Sequence, residues 1–154
     1  MADYNSWDSL VEAARSKCAT ILKNDVAPVA KEILKKHIQS DIYGVYTPKP
    51  NGWVNGQTYQ RRHVLESNIV ERTSKTGMGA TLLVSSYAPP SPPIINGYAF
   101  TNKGWGSFLK MLEVGNMGFW RKNFPRPAVK NAQEEINNSN EIKAAIQSGI
   151  NREF

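Results

Sequence analysis

The residues able to do chemistry are few in this chain and far apart in sequence. The 154 residues include two histidines and one cysteine. His37 falls on the apolar stripe of a predicted helix, where we expect a partly buried histidine with a hydrogen-bond partner rather than a ligand. His63 follows Arg61-Arg62 at the start of a predicted strand, where we expect a surface or interface role. Because no H-x-x-x-H or H-E-x-x-H spacing joins them, the sequence predicts neither a metal site nor a cofactor.

Other arrangements that could support catalysis are equally weak. Cys18 lies on the core face of the first helix and is expected to act as a small apolar residue. The segment Thr76-Gly-Met-Gly79 is similar to a phosphate-binding loop, but it lacks the G-K-[ST] ending and joins two strands, so a hairpin turn explains it better. Glu134 and Glu135 are adjacent on a helix surface and do not converge on one site. The sequence therefore predicts a protein that is not an enzyme.

Two clusters combine aromatic and basic side chains, Tyr59 to His63 and Trp120 to Phe124. Such clusters offer phosphate contacts and stacking platforms, and a net charge of +6 favours acidic partners, so a basic nucleic-acid-binding module is one interpretation. Trp, Tyr and Arg also anchor protein interfaces, which is the second interpretation. A third is a small nuclease that uses His63 with Arg61 or Arg62. The clusters by themselves do not separate the first two.

Length and composition limit the architecture that can hold these clusters. A chain of 154 residues with 40% hydrophobic and 21% charged residues is expected to form one globular domain with its own core. Its apolar runs are too short to span a bilayer, and the start MADYNSWDSL lacks the features of a secretory signal. We expect a single domain over 1–154, folded in a cytoplasm without membrane contact. Its regions are 1–39 (helical), 40–126 (loop and sheet with a short helix) and 127–150 (helical).

A long amphipathic helix is predicted at the N-terminus. Asn5 or Ser6 can cap it, and apolar residues then recur with helical spacing. Pro28 would remove a helical hydrogen bond, so we expect a kink or break near Asp25, unless Asp25 caps a fresh helix. The apolar stripe is Trp7, Leu10, Val11, Ala14, Cys18, Ile21 and Leu22, and it resumes through Val29, Ile33, Leu34, His37 and Ile38.

The middle of the chain predicts a sheet with irregular connections. Val64 to Thr73 and Ala80 to Ser86 have strand composition and are expected to form an antiparallel hairpin, with Ala80, Leu82 and Val84 on one face. Ile94 to Phe100 predicts a further strand, which makes an antiparallel sheet of three to four strands. Segments rich in Pro and Gly indicate two extended arms, Ile42 to Trp53 and Ser86 to Tyr98.

Helices are predicted again toward the C-terminus. Ser107 can cap a short helix that ends at Gly115. Pro127 is favoured at a first helical position, and Asn138 with Glu141 resembles a capping box for a last helix that runs to Gly149. Helices that cover one face of an antiparallel sheet make the predicted fold class α+β.

The order of several short motifs resembles the tail-completion, or head–tail joining, family of tailed bacteriophages. The resemblance covers about residues 40–153 and includes an E-x-G signature and an R-P dipeptide before the last helix. The motifs are Tyr46-x-Pro48, Tyr59-x-Arg61-Arg62-x-x-Leu65, Phe108-Leu-Lys-Met-Leu-Glu113-x-Gly115 and Pro125-Arg126-Pro127-Ala128. The family's signature often continues with threonine and glycine, whereas this chain continues Asn116-Met-Gly118.

The resemblance implies a non-catalytic virion protein of the phage neck that forms a ring between the head connector and the tail. Its partners would be further copies of itself and other neck or tail proteins, with genomic DNA passing through the lumen. A ring needs heterologous contacts between two different patches of each subunit. The candidate interface residues are Tyr46, Trp53, Tyr59, Arg61, Arg62, Trp120, Arg121, Lys122, Phe124 and Arg126.

The segment Gly118-Phe-Trp-Arg-Lys-Asn-Phe-Pro-Arg-Pro-Ala128 generates the first test. Its prolines set the entry of the last helical region, which leaves Phe119 to Phe124 as an aromatic anchor for neighbouring proteins. We expect Trp120→Ala to reduce assembly into phage particles while its thermal unfolding midpoint stays near that of the wild type. A variant that is unfolded by circular dichroism would instead place Trp120 in the core.

Overall fold

The computed structural model describes residues 6–45, 63–86, 94–95, 98–99 and 126–154. Helix comes first, then short strands, then helices again, which confirms the predicted α+β class. None of the helices in these ranges is long and apolar enough to cross a membrane. The chain divides into two compact units: 1–33, 71–84 and 135–154 in the first, and 34–70 and 85–134 in the second. The expected single domain stays a prediction.

The first helix, α1, spans Trp7–Ile21 and begins at a reciprocal cap. The backbone N–H of Ser9 donates to the Ser6 hydroxyl, and the N–H of Ser6 donates to the Ser9 hydroxyl, both at 3.2 Å. Each bond satisfies an N–H that has no partner within the helix, and such a cap stabilises a helix by about 1 kcal/mol. Of the two caps that the sequence allows, Ser6 is the one used.

Of the kink or break predicted near Asp25, the break is wrong, because the helix continues past this residue with an irregular turn. Leu22–Val26 form a π-helical segment, in which the N–H of Ala27 donates to the carbonyl of Leu22, and α2 follows directly at Ala27–His37. This wider turn accommodates Pro28, which has no N–H to donate to a helical hydrogen bond. Pro28 lies two residues after this segment, in the interior of the continuous helical run.

The continuous helical run that begins with α1 extends to Tyr43, which is further than predicted, and it shortens the first predicted arm. A second π-helical segment, Ile38–Tyr43, follows α2 and closes with the N–H of Gly44 donating to the carbonyl of Gln39 at 2.7 Å. Ile38 and Ile42 are buried, because residues four apart lie on the same face of a helix and this face is apolar. The arm predicted from Ile42 therefore does not begin there, and its residues 46–53 lie outside the described ranges.

The chain ends in two helices, as expected, but their first and last residues differ from those predicted. The first, α4, spans Ala128–Asn138, and the second, α5, spans Asn140–Glu153. The cap between them is Ser139 rather than Asn138: its hydroxyl accepts from the N–H of Ile142 at 3.3 Å. The predicted end at Gly149 is wrong, since α5 continues through this residue to Glu153.

The predicted hairpin is present with shifted strands. The strands are β1, Ile69–Thr76, and β2, Gly79–Ser86, and they pair as a two-stranded antiparallel sheet. Gly77 has a positive φ of 52° at the first of the two turn residues, which glycine tolerates without steric cost. Ala80, Leu82 and Val84 are half-buried and alternate with exposed positions, so the predicted shared face is confirmed.

Three parts of the sheet prediction are wrong. Val64–Ser67 form a single helical turn, α3, before β1. Ile94 to Phe100 does not make one strand: β3, Ile94–Ile95, pairs antiparallel with β4, Tyr98–Ala99. The described strands thus form two separate two-stranded sheets rather than one sheet of three to four strands. Asn96-Gly97, between β3 and β4 in sequence, is the strong hairpin signal that indicates this pairing.

The second predicted arm is also shorter than expected. Ser86 is the last residue of β2 and is buried, with its hydroxyl donating to the carbonyl of Leu65 at 2.7 Å. A buried residue held in this way does not begin a free arm. The remainder of this arm contains β3 and the start of β4, and residues 87–93 and 96–97 lie outside the described ranges, as does the predicted helix at 107–115.

In the first unit, α5 packs against α1 and the first π-helical segment through Gly149. A Cβ atom at Gly149 would lie 2.5 Å from Cγ2 of Ile21 and 3.0 Å from Oδ2 of Asp25. The side chains of Ile21 and Asp25 therefore occupy the space that a side chain at Gly149 would need. Ile21 and Ile142 are buried in this unit, together with Val26, Ala27, Ala30 and Ile33 of the helical run.

Polar contacts tie the hairpin to the helical run within the same unit. Lys75 contacts both Glu12 and Ser16 of α1, and Lys31 of α2 pairs with Glu71 of β1. The Lys75 interaction lowers the pKa of Glu12, and the Lys31 hydrogen bond lowers the pKa of Glu71 against partial desolvation. Because Lys75 and Glu12 are exposed and Lys31 and Glu71 are only half-buried, we assign these contacts a role in orientation more than in stability.

The second unit has its own buried set. Leu34, Ile38 and Ile42 form one stripe of the helical run, and Leu65 of α3 is also buried. From α4, Ala128 and Ala132 are buried at one turn's spacing, as the predicted apolar face requires. The hydroxyl of Tyr43 accepts from the N–H of Leu65 at 3.2 Å, which joins the end of the helical run to α3.

The Gly149 contact generates a test of packing. We expect Gly149→Ala to lower the free energy of unfolding by about 1 kcal/mol, because overpacking costs about 1–3 kcal/mol and the better helix propensity of alanine returns about 1 kcal/mol. Chemical denaturation followed by circular dichroism measures the change.

A second substitution, at Ile21, tests whether its Cγ2 atom causes the overpacking. Ile21→Leu removes Cγ2 and moves the branch of the side chain from Cβ to Cγ. In that background, Gly149→Ala should lower the free energy of unfolding by less. Gly79→Ala serves as the control, because a Cβ there meets nothing within 4 Å. If Gly149→Ala stabilises the wild type by the full helix-propensity gain, the close approach does not limit this packing.

Candidate interaction surfaces

Of the ten candidate interface residues, Arg126 alone lies in the described ranges. It is half-buried directly before α4, and its carbonyl accepts from the N–H of Ala128 at 2.8 Å. This agrees with its expected place at the entry of the C-terminal helices. Outside the described ranges lie Tyr46, Trp53, Tyr59, Arg61, Arg62, Trp120, Arg121, Lys122 and Phe124.

His63 occupies an unusual backbone position next to the basic pair Arg61-Arg62 in sequence. Its φ is +49°, in the left-handed region that residues other than glycine rarely adopt. Its Nδ1 pairs with Oε1 of Glu66, and its ring lies 4.9 Å from the ring of Tyr43 between centroids. The carbonyl of His63 also accepts from the hydroxyl and the N–H of Ser67. These contacts account for the strained backbone by holding the first turn of α3.

His37 belongs to a polar cluster centred on Asp41. One carboxylate oxygen of Asp41, Oδ2, contacts Nδ1 of His37 and accepts from Nδ2 of Asn131, both at 2.9 Å. The other, Oδ1, accepts from the Ser40 hydroxyl at 2.7 Å. Partial desolvation acts to raise the pKa of Asp41, but the hydrogen bonds from Ser40, Asn131 and His37 outweigh it and lower the pKa. The cluster therefore holds an ionised carboxylate between the helical run and α4.

The residue types around Asp41 are those of a Ser-His-Asp catalytic site, but their connections differ. Nucleophilic catalysis needs the serine hydroxyl to donate to the histidine, which in turn contacts the aspartate. Here the Ser40 hydroxyl donates to Asp41 directly. The arrangement cannot activate Ser40 through His37. Nor does any group of three His, Cys, Asp or Glu side chains suited to a metal ion occur in the described part of the chain.

Asp25 and Arg152 form a bidentate ion pair in the first unit. Both guanidinium NH groups of Arg152 donate to the two carboxylate oxygens of Asp25 at 2.8 Å. These bonds lower the pKa of Asp25 against partial desolvation, and they raise the pKa of Arg152. Asp25 therefore binds α5 instead of capping a new helix, which was the alternative left open by the sequence. The pair fixes the position of α5 and leaves no group available for binding.

Exposed apolar side chains on α1 and α5 are the clearest interaction surfaces in the described ranges. Trp7 is 70% exposed and Leu10 is 38% exposed at the start of α1. On α5, Ile146 is 37%, Ile150 41% and Phe154 68% exposed. Residues three and four apart share a helix face, so each set is a continuous stripe. Large apolar residues grouped in this way are typical of protein interfaces.

Sequence reasoning recognised the α1 stripe but assigned it wholly to the core. The signal for α5 was also present, because Ile146, Ile150 and Phe154 recur every four residues. Periodicity identifies an apolar face without telling how far a partner helix extends along it. That information depends on the contact of Gly149 with Ile21, which lies far away in sequence.

The chain was compared with known families, curated proteins and solved structures. The model of one family, YomN, matches residues 6–152, nearly the whole chain. The chain belongs to the YomN family. This is a phage-derived family named for a protein of a Bacillus prophage, which agrees with the bacteriophage origin predicted from the ordered motifs. No match was found among curated proteins or solved structures.

The Asp41 cluster generates a test of structure against catalysis. We expect Asp41→Asn to lower the free energy of unfolding by about 1–3 kcal/mol, because charge-assisted hydrogen bonds are lost in a partly buried position. Since its folded pKa is lowered, the stability that Asp41 contributes is present above its unfolded pKa and is lost as the pH falls through the folded value. Part of the acid sensitivity below about pH 4 should therefore disappear in the variant.

The measurement is urea unfolding of both proteins from neutral to acidic pH. Asp8→Asn is the control: Asp8 is exposed, lies in the first turn of α1 and makes no ion pair in the described ranges, so less than about 1 kcal/mol is expected. An Asp41→Asn protein as stable as the wild type at neutral pH would show that the cluster is not structural.

Proposed function

We propose that this protein is a non-catalytic structural component of the phage neck, which forms a ring that joins the head connector to the tail. The observation that carries the proposal is the match of a phage-derived family over residues 6–152. The order of motifs from Tyr46 to Ala128 supports the finer assignment, because it resembles that of head–tail joining proteins. The protein would be made in the host cytoplasm and would act in the virion.

The geometry of the two histidine clusters supports a role without catalysis. His37 is engaged with Asp41, and His63 is engaged with Glu66 and Tyr43. Each set of contacts explains local structure, namely the junction with α4 and the strained start of α3. An enzyme instead needs an acid, base or nucleophile directed at a substrate. The exposed apolar stripes of α1 and α5 favour a protein that works through its contacts.

The proposed partners are further copies of this chain and other neck or tail proteins. In this proposal the aromatic and basic side chains from Tyr59 to Arg62 and from Trp120 to Phe124 contact those partners or the genomic DNA that passes through the ring. The net charge of +6 also favours the second candidate, a nucleic-acid-binding module. That candidate requires binding that weakens steeply as salt rises, because counterions are released from the phosphates.

Deletion of the gene from the phage or prophage that carries it tests the neck function. We expect DNA-filled heads and complete tails to accumulate separately, with infectious particles lost, because the joining step would lack a component. Electron microscopy of lysates and plaque counts measure this. A plasmid copy of the wild-type gene should restore joining.

Two results separate the candidates. Deletion particles in which heads and tails are joined normally would overturn the neck assignment. Fluorescence anisotropy with labelled DNA at low and moderate salt tests the second candidate. Tight, salt-sensitive binding together with normal particles would favour the nucleic-acid-binding module instead.

A further inference from the structure

The exposed stripe of α1 continues an interface that is already used within the chain. Trp7, Ala14 and Ile21 are spaced by seven residues and lie on one helix face, with Leu10 between them. At the C-terminal end of this face, Ile21 packs on Gly149. Toward the N-terminus the contact with α5 ends near Lys17, which donates to the carbonyl of Glu153 and lies 4.7 Å from the ring centroid of Phe154.

α5 does not cover the part of the α1 stripe that lies N-terminal to Lys17. At 1.5 Å per residue, Leu10 lies roughly 10 Å and Trp7 roughly 15 Å further along the helix axis. Both remain exposed, although the reciprocal cap of Ser6 and Ser9 holds this end of the helix in place. The first turns of α1 are therefore formed and carry an apolar face that continues an intramolecular seam.

The stripe of α5 lies beside the face that packs on α1. Gly149 and Ile142 are buried against the unit, whereas Ile146, Ile150 and Phe154 are displaced around the helix and exposed. Lys143 is exposed and shares this stripe, since it lies three residues before Ile146. One subunit therefore carries two different apolar surfaces, the start of α1 and the outer stripe of α5.

We propose that these two surfaces bind each other between copies of this chain, with the α5 stripe of one copy seated on the first turns of α1 of the next. The occupant follows from continuity: the exposed part of the α1 face extends a seam that an α5 helix already fills in the same subunit. Asp8 in the first turn of α1 and Lys143 on the α5 stripe carry opposite charges. Neither makes an ion pair with any residue that the structure describes.

Such a contact is heterologous, because different surfaces of the two copies meet. Repetition of one heterologous contact generates a ring when the rotation closes and a filament when it does not. The inference rests on the proposed neck ring for its biological setting, and it assigns the surfaces that would join neighbouring subunits. The association itself can be measured on the purified full chain.

Two double variants test the assignment. Trp7→Gln with Leu10→Gln removes the apolar character of the α1 surface, and Ile146→Gln with Ile150→Gln removes that of the α5 stripe. Met78→Gln with Leu83→Gln is the matched control, because both residues are exposed apolar side chains on the hairpin turn and β2. Sedimentation velocity gives the species present, and circular dichroism with thermal unfolding checks that each variant is folded.

We expect the wild type and the hairpin control to form species larger than dimers, and each double variant alone to be monomeric. An equimolar mixture of the two variants should form dimers and nothing larger, because one intact surface remains on each. Asp8→Lys or Lys143→Asp alone should weaken association by about 2- to 5-fold, and the two together should restore it.

A wild type that stays monomeric at its highest soluble concentration overturns the inference, as do folded double variants that assemble normally. A mixture that forms no dimer excludes the heterologous pairing. Complementation of the deleted gene separates this inference from the neck function. If deletion blocks joining and both variants restore it, the function stands and the surfaces are wrong; if deletion leaves joining intact, assembly in solution still tests the surfaces.

Discussion

The first unit depends on the close approach of α5 to the first helical run at Gly149. A Cβ atom at this position would lie 2.5 Å from Cγ2 of Ile21, so the Ile21 side chain packs where Gly149 has no side chain. The carboxylate of Asp25 lies beside the same glycine and binds Arg152 in a bidentate pair. The packing at Gly149 and the ion pair of Asp25 with Arg152 therefore both hold α5 in place. A carboxylate in this partly enclosed position is tolerated only when it is hydrogen-bonded.

Ile21 and Asp25 both face α5 at the π-helical turn of Leu22–Val26, since residues four apart share a helix face. The same turn accommodates Pro28 without ending the helix. The sequence could locate this irregularity, because proline interrupts any helix. It did not predict its form, a π-helical turn within a continuous helix.

Local signals in this chain predict elements well and their connections poorly. Ser6, Gly77 and the alternation from Ala80 to Val84 act within a few residues, and the cap, the turn and the strand face follow them. Gly149 looks like a helix end by local rules, but it lies within α5 because its missing side chain is needed for packing. The same limit applies to Ile42 and Ser86, whose burial depends on neighbours that are distant in sequence. For the candidate interface, sequence reasoning identified aromatic and basic clusters, whereas the exposed stripes of α1 and α5 require knowledge of where α5 stops.

The polar groups and the apolar stripes have opposite roles in this protein. His37, Asp41, Asp25 and Arg152 have the chemistry of active sites, but their hydrogen bonds are directed at one another and hold helices together. The side chains directed outward, Trp7, Leu10, Ile150 and Phe154, have no chemistry beyond contact. The arrangement agrees with the proposal of a subunit that binds other proteins, and two distinct stripes on one subunit are what a directional assembly requires.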